Sequence, residues 1–597
     1  MNEEVKITRL FDLLERLQVT YPKEDILAGK VNGSWKKYSS KEYSEISHSF
    51  AFGFLELGLK PGDKVITVMN NRPEWNFTDM GTALSGLVHV PVYTTLSEDD
   101  YLYIIPHSDA KVMIIGTAAL YKHLAPVISK LENPPMIFTI DEVENVRNLE
   151  EIRLSGEKNK DKWSPVIEEN RKTITPDTLL TIIYTSGTTG TPKGVMHAHS
   201  SIVFNFLGHA AQQVMNSSHR YLSFLPLCHI YERTMNYEFQ SLGISIYYAE
   251  NMGTIARDLK EIQADGFCAV PRVIEMMYKK LEDAGKSLTG IKKIIYKWAW
   301  NFGNTFDYEN LTFWRVTLNK LFDKLVYSKW RANLGGHEML IVTGGSSIRA
   351  CIIRLFSAAK MYIYEGYGLT ETAPVIAVNN PKDRIRKIGT VGKIMEGTEV
   401  KFAPDGEILT RGPHVMMGYY KDPGATREAI DSDGWFHTGD VGEMVNGMFL
   451  RITDRKKEIF KLSNGKYVAP QLVENKLNES PYIESSLVIG SNEKVASAII
   501  IPNGVLVQDW AAHHKMVFQD VDNLYTTKEV NDLIRKEIER INKSLAPHEQ
   551  IKFFRLVDDE WTTANGLLSQ TLKLRRTQLN KHYEKIIADI YSDTKGK

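Results

Sequence analysis

Tyr184-Thr185-Ser186-Gly187-Thr188-Thr189-Gly190-Thr191-Pro192-Lys193-Gly194-Val195 is the stretch on which the reading of this chain turns. It grows out of Leu179-Leu180-Thr181-Ile182-Ile183-Tyr184, an apolar, β-prone run that predicts a buried strand. Gly187, Gly190 and Gly194 let the backbone turn sharply and leave amide N–H groups to point inward. Thr185, Ser186, Thr188, Thr189 and Thr191 add hydroxyl donors, and Lys193 adds a single positive charge. Amides, hydroxyls and one lysine together suit a polyphosphate; the alternative is a flexible surface loop. A Walker A loop needs Gly, four residues, then Gly-Lys-Ser/Thr. Here Gly187 is followed by Thr188-Thr189-Gly190, and Lys193 precedes Gly194. The spacing disfavours a P-loop NTPase or kinase.

Working outward, the 597 residues exceed one ordinary core, which predicts two or more domains. Apolar residues at 43% and charged residues at 24% describe a soluble globular enzyme. Zero net charge points away from nucleic acid as a partner. Cys228, Cys268 and Cys351 are scattered, with neither metal-site nor disulfide spacing, so a reducing cytoplasm is expected. The start, Met1-Asn2-Glu3-Glu4, lacks the basic beginning and apolar centre of a signal peptide. Ile7, Leu10, Phe11, Leu14 and Leu17 recur at helical spacing, for a helix packed on the body or, in the lesser reading, lying on a membrane. Alternating helices and β runs then follow to Ile140 and predict a layered α/β domain. Residues 141–172 are charged and read as a surface excursion, and Ser200-Ser201 as the cap of a helix reaching about Val214.

Two later strands end in small residues. Ile341-Val342-Thr343 runs into Gly344-Gly345-Ser346-Ser347, and Met361-Tyr362-Ile363-Tyr364 into Glu365-Gly366-Tyr367-Gly368-Leu369-Thr370-Glu371-Thr372. Glycine backbone on one face and the Tyr367 ring on the other make a slot for a flat base. Thr370 offers a hydroxyl to a phosphate, and Glu371 is a hard oxygen ligand for Mg²⁺ shared with ATP phosphates.

These stretches resemble the signatures of the adenylate-forming superfamily: acyl-CoA synthetases, luciferases and peptide-synthetase adenylation domains. Leu225-Pro226-Leu227-Cys228-His229-Ile230-Tyr231-Glu232-Arg233 resembles its second motif in the form of long-chain fatty acyl-CoA synthetases, which places His229 near the acyl carboxylate. Asp433-Gly434-Trp435-Phe436-His437-Thr438-Gly439-Asp440 resembles the Thr-Gly-Asp motif, where the Asp440 carboxylate can accept from both hydroxyls of a ribose. By the same resemblance Arg455 is a second ribose contact, Lys457 is the pivot of a mobile domain, and the loop at Gly465 faces the pantetheine tunnel of coenzyme A. Lys573, in Ser569-Gln570-Thr571-Leu572-Lys573-Leu574, resembles the catalytic lysine, although Leu572 stands where the superfamily usually has glycine.

The resemblance covers roughly residues 8–590. It implies a large N-terminal α/β domain over 1–453 with layered sheets and a small β-barrel-like subdomain. A hinge at 454–457 and a mobile α+β domain over 458–597 follow. It implies a long-chain fatty acid–CoA ligase using ATP, Mg²⁺ and coenzyme A. The alternatives are a ligase for a medium-chain or aryl acid, and a non-catalytic acyl- or nucleotide-binding protein.

One region stands apart. Residues 286–331 hold nine lysines or arginines against Asp307, Glu309 and Asp323. Trp298, Trp300, Phe302, Phe306, Phe313, Trp314, Phe322 and Trp330 are interleaved. Amphipathic helices with aromatics packed inward and a solvated basic face are one reading. A peripheral dock on an anionic membrane, at the inner face of which a lipid-derived acid is collected, is the other.

Overall fold

Residues 5–185, 191–309, 311–380, 386–514, 516, 521–562, 565–569 and 574–595 are described by a computed structural model. The strand predicted before the glycine-rich stretch spans Leu179–Thr185. It runs parallel to Val88–Val92 and antiparallel to Lys193–Ala198, with Thr185 opposite Lys193. The glycine-rich segment thus joins two antiparallel strands, whereas a P-loop leads from a strand into a helix.

The chain divides into two compact units, the first comprising 1–345, 350–400 and 410–437 and the second 346–349, 401–409 and 438–597. The first is the layered α/β body expected. An eight-stranded sheet has the parallel strands Val88–Val92, Lys64–Val68, Ala110–Ile115 and Met136–Thr139 beside Leu179–Thr185. A nine-stranded sheet has at its centre the parallel strands Met361–Gly368, Met339–Thr343, Gly266–Ala269, Arg220–Ser223 and Ser245–Tyr248. Their Val- and Ile-rich runs suit strands covered on both faces. Helices Pro73–Leu84 and Ile230–Ser241 are buried on almost every side and hydrogen-bond to strands of both sheets. Where a barrel-like subdomain is expected, Glu399–Phe402, Glu407–Arg411, Phe436–Val445 and Phe449–Arg455 form a four-stranded sheet in that order, most of whose residues belong to the second unit.

Two local expectations change and a third is decided. The surface excursion over 141–172 is a pair of packed helices, Leu149–Lys158 and Lys160–Thr173. A Cβ on Gly156 would lie 1.9 Å from the Ser49 carbonyl, and one on Gly53 2.1 Å from that of Ile152. Two glycines therefore bring helix Leu149–Lys158 into backbone contact with Ser40–Glu56, a face that the surrounding charges conceal in the sequence. The helix expected from Ser200-Ser201 to Val214 spans His199–Ala210 without a side-chain cap, and Ser201 instead donates to the Ala198 carbonyl. The N-terminal apolar set, Ile7, Leu10, Phe11, Leu14 and Leu17, is buried, which selects packing on the body over a membrane-surface helix. Among the described residues no helix is long and apolar enough to cross a membrane.

The second unit is α+β. Its three-stranded sheet joins Ile483–Ile489, Ser497–Pro502 and Phe553–Leu556. Strand alternation sends Val488 and Ile500 to a core shared with Val473, Ile534 and Ile538, and Leu487 and Ile499 to one shared with Leu579 and Tyr583.

Candidate functional site

In the large unit the two small-residue strand ends lie side by side. Met339–Thr343 and Met361–Gly368 are parallel, with Thr343 opposite Glu365, so both chains leave the sheet at its C-terminal edge. That edge is where open α/β sheets take ligands. A Cβ on Gly344 would sit 3.3 Å from the Gly366 carbonyl, so the two glycines face each other with no side chain between. Tyr367 pairs with Ala377 on strand Val375–Val378, and the register shifts between Tyr367 and Gly368. A Cβ on Gly368 would fall 1.7 Å from the Pro374 carbonyl, so only glycine allows that crossing.

The next residues meet the stem of the glycine-rich stretch. The Tyr419 hydroxyl donates to Glu371 Oε1 at 2.9 Å, and the Met416 amide donates to the Glu371 carbonyl at 2.8 Å. Lys193 Nζ stands 4.9 Å from the centre of the Tyr419 ring. His197 Nε2 lies 2.6 Å from the Thr370 carbonyl. A carbonyl can only accept, so Nε2 carries the proton. Burial lowers the His197 pKa to about 4, so the ring is neutral at physiological pH. Burial first, and then the Glu371 carboxylate, push the Tyr419 phenol well above its usual range, so it stays a donor. Lys193, Thr370 and Glu371 are thereby brought to one place. Tyr419 and His197, which hold them there, carry no signal within their own stretches of sequence. Thr185 ends the strand; Ser186, Gly187, Thr188, Thr189 and Gly190 lie outside the described residues.

Among the described residues no cluster of three or more His, Cys, Asp or Glu side chains could hold a metal by itself. One carboxylate, on Glu371, beside one hydroxyl, on Thr370, is instead the donor set that fits Mg²⁺. That ion keeps its waters and is held by one or two carboxylates together with phosphate oxygens.

His229 is the N-cap of helix Ile230–Ser241, its Nδ1 accepting from the Tyr231 amide at 3.1 Å. The loop before it is held by Asn71, which donates to the Leu225 carbonyl at 2.6 Å and accepts from the Leu227 amide at 2.9 Å. Behind His229 the helix carries a buried ionic network absent from the sequence reading. Arg233 reaches Asp79 at 2.5 Å and Thr181 at 2.6 Å, while His89 and Tyr237 also bond to Asp79, at 2.6 and 2.5 Å. Burial would raise the Asp79 pKa, but the Arg233 charge, helped by the His89 and Tyr237 contacts, outweighs it and holds the carboxyl below its usual range.

In the second unit Asp440 and Arg455 are register partners on adjacent strands, Arg455 Nε standing 3.2 Å from Asp440 Oδ1. Asp440 is buried and Arg455 half-exposed, so the pair presents a carboxylate edge backed by a guanidinium. Asp454 accepts from the amides of Arg455 and Gln471 at 2.6 and 3.1 Å, yet burial raises its pKa to about 7. Lys456 pairs with Asp405 and Glu407 at 2.7 and 2.8 Å, and Lys457 is exposed. Gly465, at φ +85°, turns the chain between Phe460–Lys461 and Tyr467–Val468. Ser346 heads the short segment 346–349 that belongs with this unit. Lys573 lies outside the described residues, but the helix that follows opens on Arg576, which forks onto both Glu474 oxygens at 2.8 and 2.9 Å.

The profile of the AMP-binding enzyme family matches residues 14–420, and that of the AMP-binding enzyme C-terminal domain matches 457–595. The peroxisomal long chain acyl-CoA synthetase 7 of Arabidopsis thaliana is 29% identical, over 98% of this chain and 87% of its own. The long-chain-fatty-acid–CoA ligase FadD15 of Mycobacterium bovis is 30% identical, over 94% of this chain and 93% of its own. Among solved structures, the adenylation domain of a carboxylate reductase from Mycobacterium chelonae aligns with a TM-score of 0.73 at 20% identity, covering 98% of this chain and 91% of that one.

Proposed function

Since this chain belongs to the AMP-binding enzyme family, we propose that the acid it activates is a long-chain fatty acid. It is an AMP-forming acid–thiol ligase, and its cofactors are ATP, Mg²⁺ and coenzyme A. The observation that carries the long-chain reading is likeness to long-chain ligases along nearly the whole length of both chains, at 30% identity for FadD15.

In the first half-reaction a carboxylate oxygen bonds to the α-phosphorus of ATP and the bond to pyrophosphate breaks. In the second, the sulfur of coenzyme A bonds to the acyl carbon, AMP leaves, and the thiol proton passes to solvent. A carboxylate is a poor electrophile at neutral pH, and adenylation supplies the leaving group.

The residue roles belong to the same proposal. Thr185, Lys193 and the residues 186–190 hold the phosphates. Gly344, Gly345, Ser346 and the stretch Glu365-Gly366-Tyr367-Gly368 hold the adenine. The orienting contacts of Tyr419 and His197 support Glu371 as the carboxylate toward Mg²⁺ and Thr370 as a phosphate donor. When bound, Mg²⁺ neutralises charge on the phosphate oxygens. His229 lies toward the acyl carboxylate, its loop held by Asn71. The 3.2 Å contact between Asp440 and Arg455 supports a joint ribose site. Residues 454–457 are the hinge between 1–453 and 458–597, Lys457 the pivot, Gly465 the loop toward pantetheine, and Lys573 the mobile cation of adenylation.

The test is pyrophosphate release across saturated acids of graded chain length, with and without coenzyme A, for the wild type and Lys573→Ala. The expected optimum is a long-chain acid, with pyrophosphate and acyl-AMP formed even without the thiol. Lys573→Ala should slow adenylation by ~10²-fold or more, from loss of preorganised positive charge. Its thioester formation from supplied acyl-AMP should persist. An optimum on an aryl or short acid overturns the substrate; equal loss in both half-reactions overturns the role of Lys573.

A further inference from the structure

The structure sorts the aromatic residues of 286–331 into two sets. Phe306, Phe322 and Trp330 are buried, and Trp300 and Phe302 are half-buried against them, with Phe302 and Phe322 5.3 Å apart. Trp298, Phe313 and Trp314 are 62%, 78% and 73% exposed. They are part of two outward stripes. On helix Gly290–Asn304, Ile291, Ile294 and Trp298 recur at helical spacing on the face opposite the buried Ala299 and Gly303. On Phe313–Phe322 and the turn that continues it, Trp314, Leu318, Leu321 and Leu325 do the same, about a quarter turn round from the buried Phe322 and Val326. Of the 23 large apolar side chains that are exposed among the described residues, nine lie between Ile291 and Leu325, so the feature is local and not general to the surface.

The charges sort as well. All three acids of the region are engaged: Asp323 with Arg331 at 2.6 Å, Glu309 with Lys387 at 3.4 Å, Asp307 with Arg354 at 4.0 Å. Lys292, Lys293, Lys297, Lys320, Lys324 and Lys329 are exposed and form no ion pair with any described residue. By helical spacing Lys297 borders the Ile294–Trp298 stripe, and Lys320 and Lys324 border the Leu321 stripe.

Tryptophan and leucine facing water in stripes, rimmed by lysines and by no unpaired acid, are the components of an interfacial helix pair. The apolar side chains enter the acyl boundary, the indoles sit at the headgroups, and the lysines meet phosphates. A protein partner would have to supply acidic groups around an apolar knob in one defined shape, whereas an anionic bilayer supplies both along any line. The geometry points to residues 290–329 as a docking surface for an anionic lipid bilayer, holding the enzyme to the membrane without a spanning segment. The inference stands on these side chains and not on the acyl substrate, so its vesicle-binding test contains no fatty acid.

The test is co-sedimentation of the full chain with vesicles of phosphatidylcholine alone or mixed with phosphatidylglycerol, at low and high salt. Binding is expected to the mixed vesicles only and to weaken with salt. Two variants separate the components. Lys293→Glu/Lys297→Glu/Lys320→Glu/Lys324→Glu should lose binding at every salt concentration. Trp298→Ser/Trp314→Ser should bind at least tenfold more weakly, the residual binding being purely salt-sensitive. Both should keep wild-type unfolding midpoints and wild-type turnover on a short, soluble acid. The inference is overturned if the wild type stays in the supernatant with mixed vesicles at low salt, or if the tryptophan variant sediments like wild type. It is overturned equally if the wild type is a dimer that these substitutions split and vesicles do not bind, which would make the face a contact between two copies.

Discussion

Two helices of the large unit invert the usual pattern in opposite directions. Ile230–Ser241 buries Glu232, Arg233, Asn236, Glu238 and Gln240, while Phe313–Phe322 exposes Phe313, Trp314, Leu318 and Leu321. The first is tolerated because most of its polar groups find partners inside the chain. Arg233 meets Asp79, Glu238 meets His209 at 2.5 Å, and Glu232 accepts from Ser223 at 2.6 Å. Asn236 and Gln240 both donate to Asn76, at 2.8 and 3.1 Å. The second helix has no such internal answer. Polar residues inside are explained by what they bond to within the fold, whereas apolar residues outside call for something beyond it. One helix therefore belongs to the scaffold behind His229, and the other to an encounter.

The largest effect should come from breaking the internal answer. Arg233→Met leaves Asp79 buried and charged without its partner, at a cost of about 5 kcal/mol, the upper part of the range for splitting a buried pair. Calorimetric unfolding should show a large fall in midpoint, and Asp79→Asn added to Arg233→Met should restore much of it. A loss under about 1 kcal/mol would mean that the network is not a unit.

On the other helix the inner face should be the costly one. Phe322→Ala removes a buried ring that packs on Phe302 and should cost about 3 kcal/mol. The readout is the same unfolding midpoint.

A smaller, pH-dependent effect belongs to Glu232. Burial, despite hydrogen bonds from Ser223 and Tyr221, raises its pKa from 4.5 to about 8. The folded state then binds a proton that the unfolded state has released, so the stability this group contributes is full below 4.5 and is lost as pH rises to about 8. Glu232→Gln mimics the protonated acid. It should match the wild type within about 1 kcal/mol at pH 4.5 and lose less stability than the wild type as the pH rises from there towards about 8. Parallel pH profiles for the two proteins would show that the carboxyl is ionised inside.

What could be read in the sequence was whatever lies within a few residues. The strand Leu179–Thr185, the glycine loop after it, and the run from Glu365 to Glu371 each announce themselves by local composition. What could not be read is long-range. Tyr419 reaches Glu371 from 48 residues away, His197 reaches Thr370 across 173, and Arg233 reaches Asp79 across 154. No local periodicity encodes such partners, because pairing geometry is set by sheet order and helix placement. The charged helix Leu149–Lys158 is hidden from the sequence for a related reason: its contact with Ser40–Glu56 is made through Gly156 and Gly53, whose function is to have no side chain. In 286–331 the sequence offered inward aromatics or a membrane face as alternatives, and the structure divides the aromatics between an inner and an outer face.

The smallest expected effect is the one that decides the comparison. Leu321 and Phe322 are neighbours on one helix, 50% and 8% exposed. If the outer stripe has no partner within the chain, Leu321→Ser removes apolar area that is already hydrated. Its stability should then change by less than about 0.5 kcal/mol, as for a surface substitution. Serine lowers helix propensity by a few tenths of a kcal/mol, which sets the floor of what calorimetry should detect. The midpoint should therefore barely move where that of Phe322→Ala falls steeply, one position along. A loss from Leu321→Ser comparable to that from Phe322→Ala would mean that the outer face is packed within the protein after all. The contrast between the satisfied polar helix and the unsatisfied apolar one would then disappear, and with it the reason to look outside the chain.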